Sequence, residues 1–300
     1  MSEQVADGFC NRLAIRHQLG TSNLTPLRGQ TSLSLRWRYF DTDRSLARQQ
    51  WEVGEMRKYG LLVTGLALVL CLLGALGTVR GAEPDYWVNS TADPGTGTCD
   101  LTECTLGEAI QAANSHTGSD IIAFKIPGTD PGCNTITCTI TLASDLPTIN
   151  DTTGGTMINA FTQADTNPNG PEIVINGAST YDCFEIWSAY NTIKGLVINQ
   201  CHYGIRIAAS AIPTLEAHHN TVYGNYIGIS ATGISPSGNY IGIEIYGSHN
   251  NTIGGTTAAR RNIISGNEHQ GVRILWTGAD HNIVSGNYIG TSADGTTSVG

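Results

Sequence analysis

Apolar and polar residues alternate in short runs through the second half of the chain. Ile-Arg-Ile at residues 205–207 and Ile-Glu-Ile at residues 243–245 place one charged side chain between two apolar ones, and Val-Arg-Ile at residues 272–274 repeats the spacing. A period of two is typical of strands with one buried face and one solvated face. Gly, Asn, Ser and Thr separate the runs, so the pattern predicts many short strands joined by tight corners.

One sequence phrase occurs twice, beginning at Asn220 and at Asn282, which lie 62 residues apart, and 11 of 19 aligned positions are identical. Shorter echoes of the form Asn-x-[Ile/Val]-x-Gly begin at Asn191, Asn251 and Asn262. The distance from Asn262 to Asn282 indicates a unit of about 20 residues, three of which would fill the longer spacing. Such a short unit has no room for a helix beside its strands. The repeats therefore predict an all-β, single-stranded parallel β-helix, a solenoid in which each strand stacks on the same strand of the next coil.

Glycine–asparagine pairs recur at the predicted corners. They are Gly224-Asn225, Gly266-Asn267 and Gly286-Asn287, and they keep their place relative to the flanking isoleucines. Gly and Asn tolerate the left-handed backbone that a tight corner requires. Equivalent asparagines of stacked coils can also hydrogen-bond to one another as a ladder. The alternative interpretation is that each pair is an independent surface turn.

Composition and charge agree with a β protein and exclude one class of partner. The 300 residues include 36 glycines, and only 14% are charged, whereas a helical protein carries more Lys, Glu and Leu. From residue 83 onward there are 19 Asp and Glu against 6 Lys and Arg, which argues against a nucleic-acid partner. Asp93 and Asp294 are loop carboxylates of the type that binds Ca²⁺, but no Asp-x-Asp-x-Asp pattern exists. We therefore expect no cofactor, with Ca²⁺ as the alternative.

The start of the chain has the features of a leader. In residues 56–82, Arg57 and Lys58 precede an uncharged apolar run at residues 61–76, which predicts a signal peptide. The run is short for a bilayer span of about 20 residues, although a membrane anchor is the alternative. Residues 1–55 would bury this signal internally, so we expect a mis-called or non-native leader with Met56 as the true start. The last repeat stops at Gly300 without a polar cap, which predicts truncation of a longer repeat protein.

Six cysteines follow the predicted signal peptide: Cys99, Cys104, Cys133, Cys138, Cys183 and Cys201. An even number in an exported chain predicts disulfides. Cys183 and Cys201 are separated by about one coil, so they could bridge neighbouring coils. The first four cysteines form two Cys-x4-Cys pairs, which could close locally or pair with each other. A zinc site is the rival interpretation, but no histidine follows at ligand spacing.

Residues 104–114, Cys-Thr-Leu-Gly-Glu-Ala-Ile-Gln-Ala-Ala-Asn, form the one stretch with a helical pattern. Thr105 can cap its N-terminus and Glu108 can complete a capping box. Leu106, Ala109, Ile110 and Ala113 then form one apolar stripe. A strand is predicted at residues 121–126. A short amphipathic helix ahead of stacked coils is suited to cover the open first coil.

Residues 104–114 resemble the signature Cys-Ser-Leu-Arg-Glu-Ala-Ile-x-x-Ala-Asn of CSLREA domains, with Gly107 where that family usually has Arg. Similar pieces follow at residues 126–128, 146–149 and 259–267, so the resemblance extends over residues 86–300. The resemblance implies a right-handed parallel β-helix of the pectate-lyase-like type in a bacterial protein that is secreted or held at the cell surface. It implies a capping segment at residues 83–150 and β-helix repeats at residues 151–300, and it implies no particular activity.

Candidate binding residues come from the repeats and from the few basic side chains. Tyr226 and Tyr288 occupy equivalent repeat positions and could form an aromatic platform for sugar rings, with packing against their own neighbours as the alternative. Arg260, beside Arg261, could clamp a uronate carboxylate. Arg273 is the nearest match to the Arg-Ile-Lys motif of polygalacturonases, whose other motifs are missing.

Adjacent histidines at residues 218 and 219 would point to opposite faces of a strand, which argues against a shared metal ion. We predict no catalytic residue and no metal site. The sequence favours a non-catalytic exported scaffold whose partner is a polysaccharide or a cell-surface ligand. Membrane contact is expected only through the signal segment or an anchor beyond residue 300. The alternatives are a polysaccharide lyase or glycoside hydrolase, and a periplasmic metal-handling β-helix protein.

Overall fold

The computed structural model describes residues 83–95, 97–209 and 216–300. The predicted leader at residues 1–55 and the predicted signal peptide at residues 56–82 lie outside the described residues. Within the described ranges, no helix is both long enough and apolar enough to cross a membrane.

The described residues form seventeen short strands, one α-helix and two short 3-10 helices at Ala160–Thr162 and Ala258–Arg260. The helix α1 is Leu106–Ser115. The strands are β1 (Tyr86–Val88), β2 (Asp120–Phe124), β3 (Cys138–Thr141), β4 (Thr156–Asn159), β5 (Ile173–Asn176), β6 (Phe184–Ile186), β7 (Thr192–Lys194), β8 (Leu196–Asn199), β9 (Tyr203–Ala208), β10 (Thr221–Tyr223), β11 (Tyr226–Ile227), β12 (Ile241–Tyr246), β13 (Thr252–Gly254), β14 (Ile263–Ile264), β15 (Val272–Leu275), β16 (Ile283–Ser285) and β17 (Tyr288–Ile289).

These strands make three open sheets in which all paired strands are parallel. Sheet A has the order β1-β2-β4-β7-β10-β13-β16, sheet B the order β17-β14-β11-β8-β5-β3, and sheet C the order β15-β12-β9-β6. From β4 onward the chain visits sheets A, B and C in a fixed rotation. We call one visit to all three sheets a pass. The prediction of an all-β, parallel architecture is confirmed.

Stacked aliphatic side chains form the core. In sheet A, Ile158, Ile193, Val222 and Ile253 are registered on successive strands and are fully buried. Sheets B and C contribute similar columns, and the same buried cluster contains residues of all three sheets and of α1. Full burial of one such side chain stabilises the folded state by about 1.5–3 kcal/mol. The polar partners of the period-two pattern lie on the outer faces.

The helix α1 begins where the capping box predicted. The Glu108 backbone N–H donates to the Thr105 hydroxyl at 3.3 Å, and the Thr105 backbone N–H donates to the Glu108 carboxylate at 2.8 Å. Leu106, Ala109 and Ile110 face the core. The strand predicted at residues 121–126 is observed one residue earlier and ends at Phe124.

The length of one pass differs from the sequence prediction. Asn191, Asn220, Asn251 and Asn282 lie at equivalent positions, and successive members are 29, 31 and 31 residues apart. The 62-residue repeat therefore covers two passes, whereas about 20 residues per unit would have required three. The shorter spacing is that between Asn262 and Asn282, which immediately precede strands of two different sheets, β14 and β16. The corners before β14 and before β16 both place an asparagine directly ahead of an isoleucine. The sequence pattern alone could therefore not tell which sheet each corner enters.

Asparagines form one hydrogen-bonded row at the entrance to each sheet. Within each row, the side-chain oxygen of every asparagine after the first accepts the backbone N–H of its counterpart one pass earlier, at 2.8–3.2 Å. The rows are Asn191, Asn220, Asn251 and Asn282 before sheet A; Asn225, Asn262 and Asn287 before sheet B; and Asn239 and Asn267 before sheet C. The glycine–asparagine pattern predicts that Asn225, Asn267 and Asn287 are equivalent. The structure instead places Asn267 with Asn239 in the row before sheet C.

All six cysteines of the described region form disulfides. The pairs are Cys99–Cys104, Cys133–Cys138 and Cys183–Cys201, so both Cys-x4-Cys pairs close locally. Cys183 lies one residue before β6 and Cys201 two residues before β9, and these strands are paired, so this bond joins two neighbouring passes, as predicted. Disulfides of this kind form and persist in oxidising compartments.

Removal of the inter-pass disulfide is expected to destabilise the protein more than removal of a local one. Loop-closure entropy predicts a loss of about 3 kcal/mol for the Cys183→Ser/Cys201→Ser variant, whose cysteines are 18 residues apart, against about 2 kcal/mol for Cys99→Ser/Cys104→Ser, 5 residues apart. Urea unfolding of both variants beside the parent protein measures the difference. A larger loss in the local variant would contradict this order.

Candidate binding site

A sharp corner between sheets A and B presents two tyrosines. Tyr223 ends β10 and Tyr226 begins β11, with only Gly224 and Asn225 between them. Gly224 has φ +68°, and a side chain there would stand 2.6 Å from the Phe161 ring. The chain can therefore turn here only with glycine, because L side chains rarely adopt this backbone and the Phe161 ring occupies the space.

Two arginines approach the same corner from the following pass. The Arg260 guanidinium carbon lies 4.6 Å from the centre of the Tyr223 ring, and that of Arg261 lies 4.0 Å from the centre of the Tyr288 ring. Arg261 also donates from Nε to the Gly286 carbonyl at 3.1 Å. Cation–π contacts of this length orient both side chains along the outer surface of the corner.

Between these residues lies an open cleft of about 630 Å³. Its walls come from three passes: Phe161 from one 3-10 helix, Tyr223 and Tyr226 from the corner, and Arg260 and Arg261 from the other 3-10 helix and the residue after it. The Phe161 side chain is half exposed. The cleft thus combines apolar ring faces with two guanidinium groups, which are the components of a site for a polar ligand with an apolar face.

Two acidic residues, Asp165 and Glu172, also line the cleft. Burial raises the pKa of the Glu172 carboxyl above its usual value, and the nearby Asp165 charge acts in the same direction, while backbone N–H donors oppose it. The Asn167 N–H donates to Glu172 at 3.4 Å. No sequence pattern pointed to Glu172, because a single acid before a strand is usually solvated.

Of the four residues predicted to bind a ligand, only Tyr226 and Arg260 line the cleft, whereas Tyr288 and Arg273 lie elsewhere. Tyr288 lies two strands beyond Tyr226 in sheet B, with Ile263 between them, and it holds Arg261. The Tyr226 hydroxyl donates to the Asn169 carbonyl at 2.7 Å, and burial raises its pKa. Tyr226 is therefore a fixed wall of the cleft. Arg273 lies on β15 of sheet C, away from the strands of sheet B.

Arg273 belongs to a row of alternating charges across the outer face of sheet C. Glu185, Arg206, Glu244 and Arg273 are registered on β6, β9, β12 and β15. Arg206 donates to Glu185 at 2.8 Å and to Glu244 at 3.0 Å, and Arg273 donates from Nε to Glu244 at 2.6 Å. The Glu244 side chain is only 2% exposed. Arg206 and Arg273 donate to the Glu244 carboxylate from neighbouring strands on either side, so the row stabilises sheet C. Arg273 therefore has little freedom to bind a ligand.

The histidines at residues 218 and 219 do not point apart as the strand pattern predicted. Their Nδ1 atoms are 2.8 Å apart, because His219 has φ +55° and the strand alternation ends there. No set of three or more His, Cys, Asp or Glu side chains in the described ranges is arranged to hold a metal ion. The loop carboxylates Asp93 and Asp294 accept hydrogen bonds from neighbouring loop groups.

A comparison of this chain with protein-family models gives no match, and a comparison with curated proteins gives none either.

Proposed function

We propose that this chain is an exported, right-handed parallel β-helix that binds an acidic polysaccharide in the cleft at the corner of sheets A and B. The rotation of the chain through three parallel sheets supports the β-helix, and three disulfides support an oxidising, extracellular location. The resemblance of residues 104–114 to CSLREA domains supports the handedness and a bacterial cell-surface role. The protein acts as a rigid scaffold whose binding face is ordered before the ligand arrives.

One observation carries the assignment of a ligand: aromatic rings and guanidinium groups face the same open cleft. Phe161 is half exposed and presents an apolar ring face that suits the carbon–hydrogen face of a sugar ring, while Arg260 covers one face of the Tyr223 ring. Arg260 and Arg261 provide planar donor groups that match a carboxylate. The rest of the described chain is acidic and repels an anionic polymer, whereas in the cleft Arg260 and Arg261 offset the charges of Asp165 and Glu172, so the cleft is the less unfavourable place.

Loss of Arg260 is expected to weaken binding of an acidic oligosaccharide about tenfold, because a charge-assisted hydrogen bond contributes about 1.5–3 kcal/mol. Arg260→Ala is compared with the parent protein by isothermal titration calorimetry against an oligogalacturonate and a neutral oligosaccharide of equal length. Binding of the acidic ligand should also weaken with added salt, since Coulomb attraction is screened.

Lys125→Ala is the matched control, because Lys125 is an exposed cation on the strand connection after β2, outside the cleft lining. It removes the same charge and should leave affinity unchanged. Equal affinity in Arg260→Ala and Lys125→Ala would refute the cleft as the binding site. Failure of the parent protein to bind any acidic oligosaccharide would refute the proposed ligand class.

A glycoside hydrolase or polysaccharide lyase is the second candidate function, and Glu172 is the observation that favours it. A carboxyl group with a raised pKa beside a sugar-binding cleft has the property required of a general acid. The same incubations should then release reducing or unsaturated ends, and Glu172→Gln should abolish the release while retaining binding. If the oligosaccharide binds and no reducing or unsaturated ends are released, the result supports the scaffold function over the enzyme.

A further inference from the structure

A second surface site lies at the corner that leads into sheet A, and it is independent of the proposed polysaccharide cleft. This corner is formed by the two residues immediately before each asparagine of the row that precedes sheet A. In four successive passes these pairs are Ala189-Tyr190, His218-His219, His249-Asn250 and Asp280-His281. The second member of every pair has a left-handed backbone, with φ between +53° and +63°. The backbone therefore makes the same turn in all four passes, while the side chains at the turn differ from pass to pass.

In one of these passes the geometry brings two imidazoles together. The Nδ1 atoms of His218 and His219 are 2.8 Å apart. In the absence of a ligand this contact is an N–H···N hydrogen bond, in which one ring donates and the other accepts. If the donating ring carries its proton on Nε2 instead, both Nδ1 lone pairs become available at the same place.

Neighbouring rings hold this pair in position. Tyr190 stacks on His219 at 5.2 Å between ring centres and meets His218 edge-on at 5.3 Å, and His249 stacks on His218 at 5.3 Å. Both sides of His218 are therefore restricted, while His219 remains exposed to solvent. A chelating pair that is already ordered loses little side-chain entropy when an ion binds.

The 2.8 Å separation of the two nitrogens is the length of their hydrogen bond, and it also matches one coordination geometry. Two cis ligands of a square-planar ion with metal–nitrogen bonds of about 2.0 Å lie about 2.8 Å apart, whereas two ligands of a tetrahedral ion lie about 3.3 Å apart. Square-planar coordination by nitrogen and oxygen is typical of Cu²⁺ and Ni²⁺, and Cu²⁺ binds such sites most tightly among the divalent ions of its row. We propose that His218 and His219 form a two-nitrogen chelate for a divalent transition metal, Cu²⁺ above all, with water in the remaining positions.

The repeat itself supplies the test variants. Asn250 occupies the position of His219 one pass later with the same left-handed backbone, so His219→Asn keeps the corner intact. Cu²⁺ is titrated at pH 7.5 into the full chain, purified with its disulfides formed and without a histidine tag. We expect one Cu²⁺ per chain, an electron paramagnetic resonance spectrum with coupling to two nitrogens, and at least about tenfold weaker binding in His219→Asn.

His281→Asn is the matched control, because His281 has the equivalent backbone position but lies beside Asp280 instead of a second histidine. It should bind Cu²⁺ like the parent protein, and circular dichroism verifies that each variant is folded. Unchanged affinity in a folded His218→Ala/His219→Asn variant, or no stoichiometric Cu²⁺ binding by the parent protein, overturns the proposal. Neither result depends on whether the cleft binds polysaccharide.

Discussion

Asn225→Ala is expected to lower the free energy of unfolding by about 2–6 kcal/mol, because it leaves at least two buried backbone groups without hydrogen-bond partners. Asn225 is fully buried. Its side-chain oxygen accepts the Leu196 N–H at 3.0 Å, and its side-chain nitrogen donates to the Ile193 carbonyl at 3.0 Å. Alanine has no polar group to replace either bond, and each unsatisfied buried group costs about 1–3 kcal/mol.

The measurement is equilibrium urea unfolding followed by circular dichroism. Asn150→Ala is the matched control, since the Asn150 side chain is exposed, and we expect it to change the free energy of unfolding by less than about 0.5 kcal/mol. A loss below about 1 kcal/mol in Asn225→Ala would mean that water or relaxed backbone satisfies these groups, and the asparagine row would then have no role in stability.

Glu244→Ala is expected to have a comparable effect on stability for an electrostatic reason. The Glu244 carboxylate accepts hydrogen bonds from both Arg206 and Arg273, and its removal leaves two half-buried guanidinium groups without their common partner. Breaking a buried ion pair by removing one member typically costs about 3–5 kcal/mol. The side chains of Arg206 and Arg273 are 28% and 32% exposed, so water offsets part of that cost and we expect a value near its lower end.

Two further variants separate charge from packing in the urea experiment. Glu268→Ala removes an exposed acid from the same region of sequence, and it should change stability by less than about 0.5 kcal/mol. Replacing three of the four members together, with Arg206→Met, Glu244→Leu and Arg273→Met, should recover part of the loss, because well-packed apolar residues can substitute for a buried ion network while Glu185 loses its Arg206 partner. A triple variant as unstable as Glu244→Ala would show that lost packing, and not unpaired charge, causes the effect.

The asparagine rows also connect stability to the proposed cleft. Asn225 lies between Tyr223, which contacts Arg260, and Tyr226, which forms a wall of the cleft. The side-chain nitrogen of Asn225 donates to the Tyr223 carbonyl at 3.1 Å. The hydrogen bonds that hold successive passes in register therefore hold the aromatic walls in place as well.

Much of the architecture follows from local sequence. Alternating residues such as Ile205 and Ile207 identify strands because side chains of a strand point to opposite faces. The Thr105–Glu108 capping box marks the start of α1 because both of its hydrogen bonds form within four residues. The even cysteine count and the spacing of Cys183 and Cys201 identified a disulfide between neighbouring passes. Each of these inferences needs contacts close in sequence or a pattern with a fixed period.

The period of the repeat and the sites depended on contacts between passes. Asn267 could not be separated from Asn225 and Asn287, because each follows a left-handed glycine and only the partner one pass away distinguishes their rows. Glu172 and Phe161 enter the cleft through loops whose lengths follow no repeat. Strand alternation placed His218 and His219 on opposite faces, and the left-handed backbone of His219 instead brings their rings together. The sequence by itself thus determined the strands, the corners and the Cys183–Cys201 bridge that short-range physics specifies. Only the tertiary structure decided how the first four cysteines pair, which corners stack and which side chains share a surface.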